Sequence, residues 1–104
     1  MIEKCLVAVI SGRVQGVGYR AFAADVAMRS SLQGTARNMI DGRVEVIAEG
    51  PENQLRTFLE ELRGGPILSR VDNIEARWEN PSGDFIESLA ELRHGLMNRG
   101  HRCG

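Results

Sequence analysis

Thr35-Ala36-Arg37-Asn38-Met39-Ile40-Asp41-Gly42-Arg43-Val44-Glu45-Val46 reads as two strands joined by a tight turn. Asp-Gly between alternating segments is a strong short-range hairpin signal, because glycine readily takes the positive φ that such turns need. On the second arm Val44, Val46 and Ala48 point one way, while Arg43, Glu45 and Glu49 point the other. A hairpin at this point makes its two strands antiparallel. That removes the all-parallel, doubly wound folds from consideration.

The flanking sequence can be placed around this hairpin. Upstream, Cys5-Leu6-Val7-Ala8-Val9-Ile10 is a continuous apolar run of strand length, expected to be covered on at least one face. Phe22, Ala23, Val26 and Ala27 then recur at helical spacing, and this helix is expected to end near Gln33-Gly34 with Gly34 as a left-handed cap. Downstream, Gly50-Pro51-Glu52 signals a helix start with proline at the first helical position. Leu55, Phe58, Leu59 and Leu62 form its buried stripe, and Gly64-Gly65-Pro66 stops it. Val71 to Trp78 alternates as a fourth strand, with Ile74, Ala76 and Trp78 facing inward. The order βαββαβ is that of an α+β, ferredoxin-like two-layer sandwich: one antiparallel sheet with two helices on one face.

Between the first strand and first helix lies Gly12-Arg13-Val14-Gln15-Gly16-Val17-Gly18-Tyr19-Arg20. Gly12, Gly16 and Gly18 let the backbone curl where a side chain is expected to collide. A curled backbone entering a helix aims free N–H groups at one point, with the positive end of the helix behind them, and so binds an anion such as phosphate. Arg20 adds a planar, permanently charged fork that fits two phosphate oxygens. A helix start favours negative charge, so a cation there is best explained by an anionic ligand. Arg13 and Arg37 read more simply as solvated side chains. Gly16-Val17-Gly18-Tyr19-Arg20-Ala21 also fits a dinucleotide fingerprint, but that fold needs parallel strands and a longer chain. The Lys-Ser/Thr pair of a Walker loop is missing.

These two stretches resemble the signatures of the acylphosphatase family. The first is the nonapeptide Gly12–Arg20. The second is Gly34 with Arg37-Asn38, then Asp41-Gly42-Arg43-Val44-Glu45-Val46 and Glu49-Gly50. The resemblance spans roughly residues 5 to 80 and implies the same ferredoxin-like fold. It further implies a hydrolase that cleaves the carboxyl–phosphate bond of an acyl phosphate, giving a carboxylate and inorganic phosphate, which is both product and inhibitor. No metal or organic cofactor is implied. The backbone amides of Gln15, Gly16, Val17, Gly18, Tyr19 and Arg20 would hold the phosphoryl group, with the Arg20 side chain as clamp. Locally Asn38 reads as an ordinary residue near a turn; the resemblance makes it the group that orients the attacking water. Gly18-Tyr19 departs mildly from the aromatic pair often found there, which bears on loop order more than on the reaction.

The chemistry suits the residues that are absent. There is no Ser-His-Asp set and no carboxylate pair, and both histidines, His94 and His101, fall in the C-terminal region. An acyl phosphate leaves as a carboxylate, whose conjugate acid has a pKa of roughly 4, so it needs no general acid at neutral pH. Positioning and charge neutralisation suffice.

Composition bounds the alternatives. Among 104 residues, 13 basic and 14 acidic side chains give a net charge of −1, without the positive excess expected of a nucleic-acid binder. Three Phe, one Tyr and one Trp are few for a base-stacking platform, and Trp78 is expected to face inward, which weighs against an RNA-binding sheet. A non-catalytic anion-binding module of the same fold is the main alternative. Cys5 and Cys103 are expected to be unpaired thiols of a reduced, cytoplasmic protein. The Cys5–Ile10 run is too short to span a membrane, so no membrane partner is expected. Residues 1–86 are expected to form the acylphosphatase-like domain, with Gly83-Asp84-Phe85-Ile86 as a candidate closing edge strand. Residues 87–104 form a divergent C-terminal extension. Phe85, Leu89, Leu92 and Leu96 give that region the spacing of an amphipathic helix.

Overall fold

The computed structural model describes residues 3–81. They form β1 (Glu3–Arg13), α1 (Tyr19–Arg29), β2 (Gln33–Asn38), β3 (Val44–Pro51), α2 (Glu52–Gly64) and β4 (Arg70–Glu79). The sheet runs β2-β3-β1-β4, and each pairing is antiparallel. The apolar run of β1 therefore lies inside the sheet, bonded on both edges. Leu6 sits opposite Ala48 and Trp78, and Ile10 opposite Val44 and Ile74.

Alternation sorts the strands into two faces. Leu6, Ala8, Ile10, Val44, Val46 and Ala48 meet Ala23 and Val26 of α1 and Leu55, Phe58 and Leu62 of α2 in one buried core. Each large side chain enclosed there contributes roughly 1.5–3 kcal/mol relative to exposure. Cys5, Val7 and Ile47, on the opposite face, form a second buried cluster. Ile74, Ala76 and Trp78 share the inner face as expected, although Ala76 is exposed because β4 is an edge strand.

Four expectations need correction. α1 stops at Arg29, before Gln33-Gly34. Ser30, Ser31 and Leu32 donate back to the carbonyls of Val26, Ala27 and Met28, and Ser31 takes the left-handed turn at φ 58°. Gly34 lies in β2 for another reason: a Cβ there would collide with the Ile47 carbonyl of β3. Pro51 is not the first helical residue but the N-cap, with φ −61° and ψ 137°, and still pairs with Glu3 at the end of β3. Finally, Cys5 is disulfide-bonded rather than a free thiol. The chain holds two cysteines, and Cys103 lies outside the described residues.

The candidate edge strand 83–86, the apolar stripe through Leu96 and both histidines also fall outside the described residues. No helix among the described residues is long and apolar enough to cross a membrane.

Candidate active site

β1 and β2 end, and β3 begins, at one end of the sheet. Ile10 is opposite Val44, and Val44 is opposite Asn38. The Val14–Gly18 loop leaves β1 at that end and delivers the chain into α1.

Apolar side chains pin the loop while its glycines stay outside. Val14 and Tyr19 are buried, and Val17 packs against the core. Gly16 and Gly18 are exposed, with φ of 75° and 80°. A Cβ at either would meet nothing within 4 Å, so it is left-handed backbone that demands glycine there, and the expected collision is not found. Of these three glycines only Gly12 shows the collision, at the irregularity where β1 passes β4, where a Cβ would run into the Arg70 carbonyl.

Gly18 is the N-cap of α1. No side chain caps this end, and its first turn holds no acidic residue. Phe22 N–H donates to the Gly18 carbonyl at 3.0 Å, so the amides of Tyr19, Arg20 and Ala21 precede the first helical bond. Arg20 is exposed and makes no hydrogen bond or ion pair among the described residues. Arg37 is different: its Nε donates to the cross-strand Glu45 at 2.7 Å, as expected of a surface side chain. Arg13 is also exposed and unpaired among the described residues, but it ends β1 rather than beginning a helix.

Asn38 is the last residue of β2, exposed, with its side chain unbonded among the described residues. The turn beyond it is a three-residue loop, longer than the Asp-Gly pair alone suggests. Met39 N–H donates to the Arg43 carbonyl at 2.7 Å, and Gly42, at φ 97°, donates to the Met39 carbonyl at 3.1 Å. The Asp41 carboxylate accepts from the Arg43 backbone N–H and Nε at 3.2 and 2.8 Å. The backbone bond chiefly holds its pKa below the usual range.

Two side chains bind this region together in ways no local pattern announces. Gln15 Nε2 donates to the Met39 carbonyl at 2.8 Å and to the Arg43 carbonyl at 2.9 Å, joining loop to turn. Tyr19 Oη donates to the Leu62 carbonyl at 2.6 Å, capping the last turn of α2 from the first residue of α1. Burial pushes the Tyr19 phenol well above its ordinary pKa, so it remains a neutral donor. The one sequence hint for Gln15 is a polar residue between two valines, of which Val14 is buried and Val17 half-buried.

A sequence profile described as Acylphosphatase matches residues 6–88. The chain belongs to the acylphosphatase family. It is 54% identical over 78 residues to an acylphosphatase of Thermus thermophilus, covering 75% of this chain and 89% of that one. It is 46% identical over 84 residues to one of Legionella pneumophila, covering 81% and 91%. The crystal structure of acylphosphatase from Bacillus subtilis superposes with a TM-score of 0.76 at 38% identity, covering 79% of this chain and 91% of that one. Membership explains why loop and turn, far apart in sequence, meet at one end of the sheet. Trp78 packs inward beneath the Arg56 guanidinium, 5.0 Å from its ring centre, and is not displayed on the open face as an RNA-stacking ferredoxin-like sheet would require.

Proposed function

We propose that Arg20 and the amides of Gln15, Gly16, Val17, Gly18, Tyr19 and Arg20 hold the phosphoryl group, and that Asn38 orients the attacking water. The activity is that of the family: the enzyme is a hydrolase that converts an acyl phosphate to a carboxylate and inorganic phosphate. One observation carries the assignment of residues: an exposed, unpaired arginine on a helix start that has neither acidic residue nor side-chain cap. The positive end of that helix and the Arg20 fork both attract an anion, and the open φ-positive glycines leave room for it.

The steps follow from charge. Arg20 and the loop amides bind the phosphoryl oxygens and neutralise the charge on them. Water held by the Asn38 carboxamide attacks phosphorus in line, and the bond to the carboxylate oxygen breaks. Asparagine is no base near neutral pH, so a phosphoryl oxygen accepts the water proton. The carboxylate departs unprotonated.

Hydrolysis of benzoyl phosphate with a chelator present tests this mechanism. Turnover unaffected by chelator, with competitive inhibition by inorganic phosphate, is the expected result. Phosphate binding without turnover would instead leave the alternative, a non-catalytic anion-binding module. We assign residues 1–86 to the catalytic domain and 87–104 to an extension without a chemical role, a boundary close to residue 88, where the family match ends. Truncation after Ile86 should keep the turnover rate of the folded protein. A cytoplasmic site of action suits a charged substrate that does not cross membranes unaided, whereas the Cys5 disulfide argues for an oxidising one. Alkylation of thiols in freshly lysed cells decides between them. Retention of the near-neutral charge argues against nucleic acid as a partner.

A further inference from the structure

Gln15 contributes more than a backbone amide. Its two carboxamide protons are donated to the carbonyls of Met39 and Arg43, 24 and 28 residues away. Those carbonyls flank the pair that matters: Met39 directly follows Asn38, and Arg43 directly precedes Val44, the cross-strand partner of Asn38. One rigid amide therefore grips both arms of the hairpin beside Asn38. With the amide reversed, its oxygen would face two carbonyl oxygens within 3 Å, so only the donating orientation is chemically acceptable.

Neither partner needs Gln15 to keep its own shape. The turn is closed by Met39 N–H to the Arg43 carbonyl, Gly42 N–H to the Met39 carbonyl, and the Asp41–Arg43 contacts. The loop is anchored by Val14, Val17 and Tyr19 in the core. What the two bonds add is the placement of turn relative to loop.

We propose that Gln15 is a positioning residue that acts through Asn38, holding the water-orienting carboxamide at a fixed distance from the loop that binds phosphate. The proposal rests on the reading of Asn38 given above. A displacement near 1 Å in a reacting group can cost about a hundredfold in rate, so two bonds at this junction have leverage on kcat.

The test is a double-mutant cycle with Gln15→Met, which keeps length and neutrality but has no donors. Gln15→Met alone should lower kcat by about tenfold to a hundredfold, while the inhibition constant for inorganic phosphate moves less than about twofold. In an Asn38→Ala background the same substitution should change kcat less than about twofold, because the group it positions is gone. Equal losses in both backgrounds would overturn the proposal, as would phosphate inhibition weakening in step with kcat, which would mean that Gln15 acts on the loop. An unaltered kcat in Gln15→Met also overturns it. If Asn38→Ala itself retains full kcat, the reading of Asn38 fails first, and this inference fails with it. Circular dichroism and melting curves confirm that each variant compared is folded.

Discussion

The loop at 14–18 and the turn at 39–43 meet at one end of the sheet but are built on different principles. In the proposed mechanism the loop works through its main chain: Gly16 and Gly18 sit in left-handed backbone facing open space, held there by buried Val14 and half-buried Val17. In the same mechanism the turn serves one side chain, that of Asn38 at the end of β2, for which the surrounding backbone is only a mount. A site made of backbone marks its sequence with glycines, because few other residues tolerate that conformation. A site made of one exposed side chain leaves no such mark.

Substitutions can break this contrast, beginning with the largest effect. Arg20→Lys keeps the charge and loses the two-oxygen grip, which should cost about 2–4 kcal/mol of transition-state stabilisation. Inhibition by phosphate should weaken in parallel. Turnover near that of the unmodified enzyme would remove Arg20 from the binding group. Asn38→Ala should instead separate the two parameters, lowering kcat by about a hundredfold with phosphate inhibition nearly unchanged. Parallel loss of phosphate affinity would mean that turn and loop bind the anion together, and the contrast would disappear.

Glycine substitutions sharpen the same comparison at smaller scale. Gly18→Ala and Gly42→Ala both force a Cβ into left-handed backbone, costing roughly 1–2 kcal/mol of stability each. Only Gly18→Ala should also weaken phosphate inhibition, which steady-state kinetics on the two variants will show. Equal effects on phosphate would deny the loop its special role. Tyr19→Phe leaves the Leu62 carbonyl without its donor and should cost about 1–2 kcal/mol in chemical denaturation, with little effect on kcat.

The smallest expected effect belongs to Asp41. Its pKa is lowered in the folded state, chiefly by the Arg43 backbone N–H, so its contribution is present above the unfolded value of about 3.9. That contribution is lost as pH falls through the folded value. The melting-temperature gap between the natural protein and Asp41→Asn should therefore narrow below about pH 4. A gap that is constant through that range would show that the carboxylate charge contributes nothing to the turn.

The order of elements, both sheet faces of the hairpin and the α2 stripe were legible because periodicity reports which side of an element is covered. The Leu55, Phe58 and Leu62 stripe is the clearest case. Gly34 misled because a glycine signals either a left-handed residue or a close approach, and only the position of Ile47 in three dimensions distinguishes them. The Gln15 and Tyr19 side chains were illegible for a related reason: their partners lie 24 to 43 residues away. The role proposed for Asn38 rests on the family resemblance, not on local physics. The Cys5 disulfide was misread as a free thiol, since nothing local to a cysteine within an apolar strand reports what it bonds.

The placement of β1 has a consequence for synthesis. Its residues emerge before those of the other described strands, yet one of its edges waits for β4, whose Glu79 pairs with Cys5. Until residues 70–79 have left the ribosome, a strand with an apolar centre, Cys5–Ile10, presents unpaired N–H and C=O groups along that edge. Such an edge is a template for another chain. Nascent copies are thus most vulnerable to one another in the interval when α1, the hairpin and α2 are already available and β4 is not.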